Sequence, residues 1–352
     1  MKIIKRILLC FTIVAIFISF NYKDKNALAL TYSKGEIVME KISGRVLYEN
    51  NSKDKLPMAS TTKIVTAITV IDNYDVNKII TVPKECEGVE GSSLYLKAGE
   101  KYKVLDLLYG LMLRSGNDSA ETLAVCLAGS IENFCKQMNN VAKKCGAKDS
   151  NFTNPHGLHD DNHYTTAYDL AKITCYALQN QIFKEIVSAK KHQALEITSQ
   201  TKKYWTNKNK MLDRYEGATG VKTGFTKLAG RCLVSSSERN GFEVVTVVLN
   251  CPSMWQRSEE LLNYAYENYK FIKIIDKKKF NYTLPDIKLQ KYYKLQIEKD
   301  CYYPIRNDEK IKSEINLPNC INFTPKNGQI IGEIKIYNSK QLIFSQNIYT
   351  LL

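Results

Sequence analysis

The sequence predicts an α/β (α+β) protein: an antiparallel sheet covered by helices, an all-helical subdomain, and a small C-terminal β-rich domain. Three observations carry this. Residues 217–249 hold three adjacent strand patterns, the last two joined by the hairpin signal Arg239-Asn240-Gly241. Residues 60–178 hold a series of apolar runs at helical spacing. From about residue 276 the apolar residues alternate loosely, as in Tyr292–Ile297, Ile330–Ile336 and Gln341–Phe344, with no helical period. A chain of 352 residues has room for about two domains. The divisions are 1–29, 30–274 and 275–352.

The first division is a leader. Lys2, Lys5 and Arg6 precede an apolar run from Ile7 to Phe20, short for a membrane span, and Ala27-Leu28-Ala29 supplies small residues for cleavage. This reads as a signal peptide and gives an extracytoplasmic address: secreted, on the outer face of the cell membrane, or in the cell wall. The formal net charge is +14. A basic surface suits nucleic acid, anionic lipid or an anionic wall polymer. No nucleic-acid motif is present, so peripheral membrane or wall association is the expectation and nucleic acid is not. The ten cysteines are scattered, with an odd number after the leader, which argues against a disulfide framework. Cys126, Cys135, Cys175 and Cys232 fall in apolar patterns as small core residues. No Cys-x-x-Cys or His/Cys cluster suggests a metal.

In chain order, Glu36–Met39 and Arg45–Tyr48 flank Ser43-Gly44 as a β-hairpin. Pro57-Met58-Ala59 leads into a helix with Ser60 in its first turn and Ile64, Val65, Ala67, Ile68 and Val70 behind it. Thr81-Val82 and Leu94–Leu96 are candidate short strands. Val104 to Leu113 is a helix with Leu105, Leu108, Leu111 and Met112 on one face. Arg114-Ser115-Gly116-Asn117-Asp118 stops it, and Asn117 or Asp118 is placed to cap the next helix, Ser119 to about Leu127. Further helices run from Glu132 to Cys145 and from Thr165 to about Leu178. Residues 188–212 are polar and rich in lysine. After the three strands, Ser253 to about Ile274 reads as a long amphipathic helix, with Lys273 and Lys277–Lys279 as a hinge beyond it. His156, His159 and His163 share no helix face and read as loop or structural residues.

Three short stretches carry candidate chemistry. Ser60 and Lys63 stand three apart, so on a helix an amine lies beside a hydroxyl. A serine nucleophile needs such a neighbouring base. Free N–H groups at the helix start favour developing negative charge. Ser115 and Asn117 sit in a tight turn between two helices, where a rigid scaffold presents polar groups. Lys222, Thr223 and Gly224 lie on the first of the three strands. Each stretch alone recurs by chance: Ser-x-x-Lys in many helices, Ser-Gly-Asn in many turns.

Together, Ser60-x-x-Lys63, Ser115-x-Asn117 and Lys222-Thr223-Gly224 resemble the ordered motifs of the low-molecular-mass penicillin-binding proteins, the secreted serine D-alanyl-D-alanine carboxypeptidases. Leu56–Ala59, Gly91–Leu94 and Asn154–Leu158 extend the likeness across roughly residues 33–272. The resemblance implies the penicillin-binding-protein/β-lactamase-like transpeptidase fold, with the third motif on an edge strand beside the Ser60 helix. It implies that Ser60 attacks the D-Ala-D-Ala carbonyl of peptidoglycan stem peptides, forming an acyl-enzyme and releasing D-alanine. Lys63, kept partly neutral by burial and by Lys222, takes the Ser60 proton. Ser115 relays a proton to the leaving amine, and Asn117 holds the substrate amide and orients Lys63. Lys222 and Thr223 receive the free terminal carboxylate. Gly224 lets the peptide add as a strand. The N–H groups of Ser60 and Phe225 form the oxyanion hole. β-Lactam antibiotics are implied covalent inhibitors, and no cofactor is needed.

Other readings share parts of this set. A β-lactamase adds a carboxylate for deacylation, but Asp169, Glu185 and Glu196 lie in no Glu-x-x-x-Asn pattern. A D,D-endopeptidase acting on cross-linked peptidoglycan shares the whole motif set. A non-catalytic wall-binding protein would not need Ser60, Lys63, Ser115, Asn117, Lys222 and Thr223 all intact.

Overall fold

The structure is a computed structural model that describes residues 33–352; the leader and Cys10 lie outside them. The chain forms two compact units, up to Ala265 and from Tyr266 onward.

The first unit opens with β1 (Gly35–Glu40) and β2 (Val46–Asn50). A 3-10 turn (Ala59–Thr62) leads into α1 (Lys63–Asn73), followed by β3 (Ile79–Thr81), β4 (Lys101–Lys103) and α2 (Val104–Tyr109). Then come α3 (Asn117–Ala128), α4 (Ile131–Lys144), α5 (Ala167–Ala177) and α6 (Gln181–Ser188). A hairpin of β5 (Lys191–Glu196) and β6 (Thr201–Thr206) and a single turn, α7 (Met211–Arg214), precede β7 (Ala218–Thr226), β8 (Gly230–Arg239), β9 (Phe242–Leu249) and α8 (Met254–Asn268).

The main sheet has the order β2-β1-β9-β8-β7 and is antiparallel throughout. Every residue of β9 is buried, because a valine run of that length needs cover on both faces. Helix α5 packs on β1 and β9. Arg257 of α8 donates to both oxygens of buried Glu36 on β1, at 3.0 and 2.7 Å. Helix α1 is the centre of the core. Ile64, Val65, Ala67, Ile68 and Val70 are fully buried, as expected of a helix apolar on all sides. Side-chain caps fix its neighbours: Ser130 accepts from Asn133 N for α4, and Thr166 from Asp169 N for α5.

Several sequence expectations are corrected. Leu94–Leu96 is not a strand, since Asp118 draws the Leu94 and Leu96 N–H groups into its carboxylate instead. The strand near Thr81 spans Ile79–Thr81 and pairs with Lys101–Lys103. Neither Asn117 nor Asp118 is the N-cap of α3: that position is Gly116, with no side-chain bond. Asn117 is turned to Lys63 and Glu90, and Asp118 bonds mainly the Ser93–Leu96 loop, with one further bond from Ser119 N. The Val104 helix widens into a π-helical turn over Gly110–Arg114; Leu108, Leu111 and Met112 are buried as expected, but Leu107 is buried with them while Leu105 is only partly so. The segment read as merely polar holds β5 and β6. Helix α8 stops at Asn268; Lys270–Ile275 is strand β10, paired with β13 (Cys301–Ile305). Lys273 therefore lies inside the second unit, bonded to Asp300 at 3.0 Å, and is not a hinge.

Between those two strands come β11 (Tyr282–Asp286) and β12 (Lys291–Gln296); after them come β14 (Ile311–Asn316), β15 (Ile330–Asn338) and β16 (Gln341–Leu351). A five-stranded sheet, β11-β12-β16-β15-β14, closes on a core of Ile275, Leu284, Leu295, Ile334, Ile336 and Ile348. The second unit is thus the β-rich fold that its alternating pattern suggests. No helix among the described residues is long and apolar enough to cross a membrane.

Candidate active site

The chain before α1 turns tightly rather than entering an ordinary helix. Ala59 has a φ of 49°, and Ser60 lies in the 3-10 turn that follows. Thr61 and Thr62 lock that turn, their hydroxyls donating to Met58 O and Ala59 O at 2.7 and 2.8 Å. Thr62 Oγ1 also meets His163 Nε2 at 2.8 Å. Opposite, Gly157 (φ +90°) presses against the turn: a Cβ there would lie 2.0 Å from Ala59 O. Gly224 does the same from β7, where a Cβ would meet Met58 O at 2.9 Å and Ser60 N at 3.1 Å. The third motif needs glycine here because the edge strand passes against the nucleophile turn, a different cause from room for an incoming peptide.

Lys63 is fully buried. Its Nζ lies 3.0 Å from Ser60 Oγ, 2.7 Å from Asn117 Oδ1 and 2.7 Å from His156 O. Burial first, then repulsion from Lys222, holds its pKa well below the usual lysine value. The neutral amine has two hydrogens and one lone pair. Two hydrogens for Asn117 Oδ1 and His156 O leave the lone pair for the Ser60 hydroxyl. The ammonium instead donates to all three oxygens. The proton can therefore pass from Ser60 to Lys63 without moving a heavy atom.

The second motif is built by the π-helical turn. Ser115 is held at φ 67°, ψ 34°, a left-handed conformation uncommon outside glycine and asparagine. Gly116 must be glycine, since a Cβ would sit 2.6 Å from Leu94 Cγ. Asn117 spends its oxygen on Lys63 and one N–H on Glu90 O, at 2.6 Å, which leaves one N–H for a ligand.

Ser60, Ser115, Thr223, Gly224 and Phe225 share the lining of a cavity of about 260 Å³ with Ser92, Lys208, Arg231, Met254 and Trp255. Lys63, Asn117 and Lys222 are buried beside it. Burial, with Lys208 as the repelling neighbour, brings the Lys222 pKa down to about 7. The Phe225 ring is largely exposed and faces Arg231. Sequence reasoning missed Lys208 and Arg231. Arg231 had a signal available, since the hairpin register sets it opposite Phe225; Lys208 had none, because a loop brings it in.

Histidines 156 and 163 are buried and structural. His156 Nδ1 accepts from Leu158 N at 3.1 Å and its Nε2 faces Glu121 at 3.2 Å. Burial drops the His163 pKa to about 4, so the ring is neutral. Cys135, Cys175 and Cys232 are buried thiols, Cys126 is half-buried, and all four are free. The carboxylates that a β-lactamase reading would use are occupied: Asp169 accepts from Asp149 N and Ser150 Oγ, and Glu196 from Lys101 N, Thr198 N and Ser199 N. Among the described residues, no Asp or Glu lines the cavity.

A serine, a buried lysine, a second serine and a lysine-bearing edge strand around one cavity define a penicillin-interacting serine peptidase. The family model described as D-alanyl-D-alanine carboxypeptidase, peptidase family S11, matches residues 23–253, and the chain belongs to that family. It is 29% identical to the D-alanyl-D-alanine carboxypeptidase DacF of Bacillus subtilis, over 88% of this chain and 83% of that one. It is 33% identical to DacC of Escherichia coli, over 67% of this chain and 62% of that one. Among solved structures, penicillin binding protein 5 from Haemophilus influenzae superposes with a TM-score of 0.76 at 26% identity, covering 91% of this chain and 97% of that one. The chain is a serine-type D-Ala-D-Ala carboxypeptidase with the penicillin-binding-protein fold.

Proposed function

We propose that the residues around the cavity divide the reaction as follows. Ser60 attacks the carbonyl between the two D-alanines of a peptidoglycan stem peptide, and Lys63 accepts its proton. The N–H groups of Ser60 and Phe225 stabilise the oxyanion; one such donor is typically worth about 3 kcal/mol. Ser115 passes a proton to the departing D-alanine amine. Lys222 and Thr223 hold the terminal carboxylate, and Asn117 keeps Lys63 in place while offering its remaining N–H to the substrate. Gly224 lets β7 approach the Ser60 turn. Water then hydrolyses the acyl-enzyme with Lys63 or Ser115 as base.

The observation that carries this is the set of three contacts at the fully buried Lys63 Nζ, with Ser60 Oγ at 3.0 Å. No metal is required for any of these steps. The same reading includes export through the leader at residues 1–29, a peptidase domain followed by a β-rich domain, divided at Ala265/Tyr266 rather than at 274/275, and residence outside the cytoplasm in association with wall or membrane.

The test is labelling by a fluorescent penicillin together with release of D-alanine from a D-Ala-D-Ala pentapeptide. Wild type is expected to show both and Ser60→Ala neither. Label retained by Ser60→Ala would move the nucleophile elsewhere.

A further inference from the structure

The cavity carries more positive charge than one terminal carboxylate uses. Lys208 and Arg231 line it, Lys222 is buried beside its Thr223 wall, and no acidic residue among the described residues lines it. Lys208 and Lys222 already repel each other. The Arg231 guanidinium faces the Phe225 ring, 5.9 Å from Cζ to centroid. Arg231 is exposed, so its charge faces the cavity and solvent.

The strand register gives the direction. Thr223 and Phe225 are two apart on β7 and share a face. Arg231 stands directly opposite Phe225 on β8, and Leu233 opposite Thr223. Two residues of strand cover about 7 Å. A peptide laid along the edge of β7 with its terminal carboxylate at Thr223 therefore carries its upstream residues past Phe225. The residue preceding D-Ala-D-Ala then reaches Arg231.

We propose that Arg231, with the Phe225 ring against it, forms a specificity subsite for a carboxylate borne on the side chain of the stem residue preceding D-Ala-D-Ala. The guanidinium makes charge-assisted hydrogen bonds to that carboxylate. The aromatic ring holds the guanidinium plane and packs against the aliphatic part of the same side chain. A carboxamide at the same position keeps the shape and loses the charge. The proposal rests on the D,D-carboxypeptidase reading, and its test separates the two.

The substrates are two acylated tripeptides, X-D-Ala-D-Ala, identical except that the side chain of X ends in a carboxylate or in its amide. D-alanine release by the enzyme gives KM and kcat for each. Wild type is expected to show a KM about tenfold lower for the acid, with similar kcat, the size of one charge-assisted contact. Arg231→Gln is expected to raise the KM for the acid to that for the amide. Arg231→Lys should retain part of the preference, and Arg231→Glu should reverse it. All three variants should still form the covalent benzylpenicillin adduct on Ser60, which reports an intact fold and nucleophile whatever the rate. Equal KM values in wild type, or a preference that survives Arg231→Gln, would overturn the subsite and leave the carboxypeptidase reading standing. Failure of wild type to be acylated or to release D-alanine would overturn the reading itself.

Discussion

Gly157 packs so closely on Ala59, the residue before the nucleophile, that a Cβ would lie 2.0 Å from the Ala59 carbonyl oxygen. The same loop supplies His156 O to Lys63 Nζ. One loop therefore holds the serine turn from outside and the base from beneath. Gly157→Ala would be strained by its φ of +90° and would have to displace backbone. We expect a loss of at least about 1 kcal/mol of stability from the left-handed conformation alone. A displacement of Ser60 by about 1 Å is expected to slow penicillin acylation on the order of a hundredfold. Thermal melting and stopped-flow acylation measure the two effects. Wild-type acylation in Gly157→Ala would show that the contact does not position Ser60.

The state of Lys63 sets a pH profile. Burial, then repulsion from Lys222, holds the Lys63 pKa well below the usual lysine value, so acylation should rise as pH rises through that pKa. Lys222 titrates in the opposite sense for function: above about 7 it loses the charge proposed to meet the substrate carboxylate. The kcat/KM for a carboxylate-terminated peptide should therefore be bell-shaped, with its alkaline limb set by Lys222. The methyl ester of the same peptide should lack that limb. Lys63→Arg keeps a cation that does not deprotonate near neutrality and should acylate roughly 10²–10⁴-fold more slowly. A normal rate in Lys63→Arg at pH 7 would sink the neutral-lysine mechanism.

The sequence carried the three-motif site because each motif stands at the start of a helix, in a turn between helices, or on a strand, all positions with local signals. The β9 valine run likewise announced a covered sheet. What stayed hidden is tertiary. Asp118 looked like a helix cap, but its carboxylate faces across to Ser93, Leu94 and Leu96, and local pattern cannot choose between two sets of N–H donors. Lys208 joins the cavity through a loop that follows an unforeseen hairpin. The lysines and isoleucines of 270–275 fit a helix face and a strand equally, and pairing with Cys301–Ile305 decides for the strand.

Lys222 is held against stability. Its pKa in the folded chain is about 7, against 10.5 for an ordinary lysine. Between those values the unfolded chain binds a proton that the folded chain does not, so stability rises with pH across that window. Below about pH 7 the cost of the buried charge is felt in full. At about 1.4 kcal/mol per pH unit, it amounts to several kcal/mol. Lys222→Met should therefore melt higher than wild type at pH 6, with the advantage shrinking toward pH 10. The same variant should lose affinity for carboxylate-terminated peptides. A melting difference independent of pH would mean that packing rather than charge separates the two proteins.

Asp118 is fully buried and links the Ser93–Leu96 loop to the charge at Lys63. Its oxygens accept from Ser93 Oγ at 2.6 Å, from Leu94 N at 3.0 and 2.9 Å, from Leu96 N at 3.1 Å and from Ser119 N at 2.9 Å. Its negative charge also raises the Lys63 pKa, against the larger effect of burial. Asp118→Asn places an NH₂ group against N–H donors and removes the charge. Breaking those bonds should cost about 2–4 kcal/mol and loosen the Leu94 contact that Gly116 accommodates. Removing the charge should lower the Lys63 pKa further, so the acid limb of penicillin acylation should move to lower pH even though the protein is less stable. Thermal melting and the acylation rate from pH 4 to 8 separate the two consequences. A lower melting temperature with an unmoved acid limb would mean that Asp118 acts on the loop alone and that Lys63 does not feel its charge.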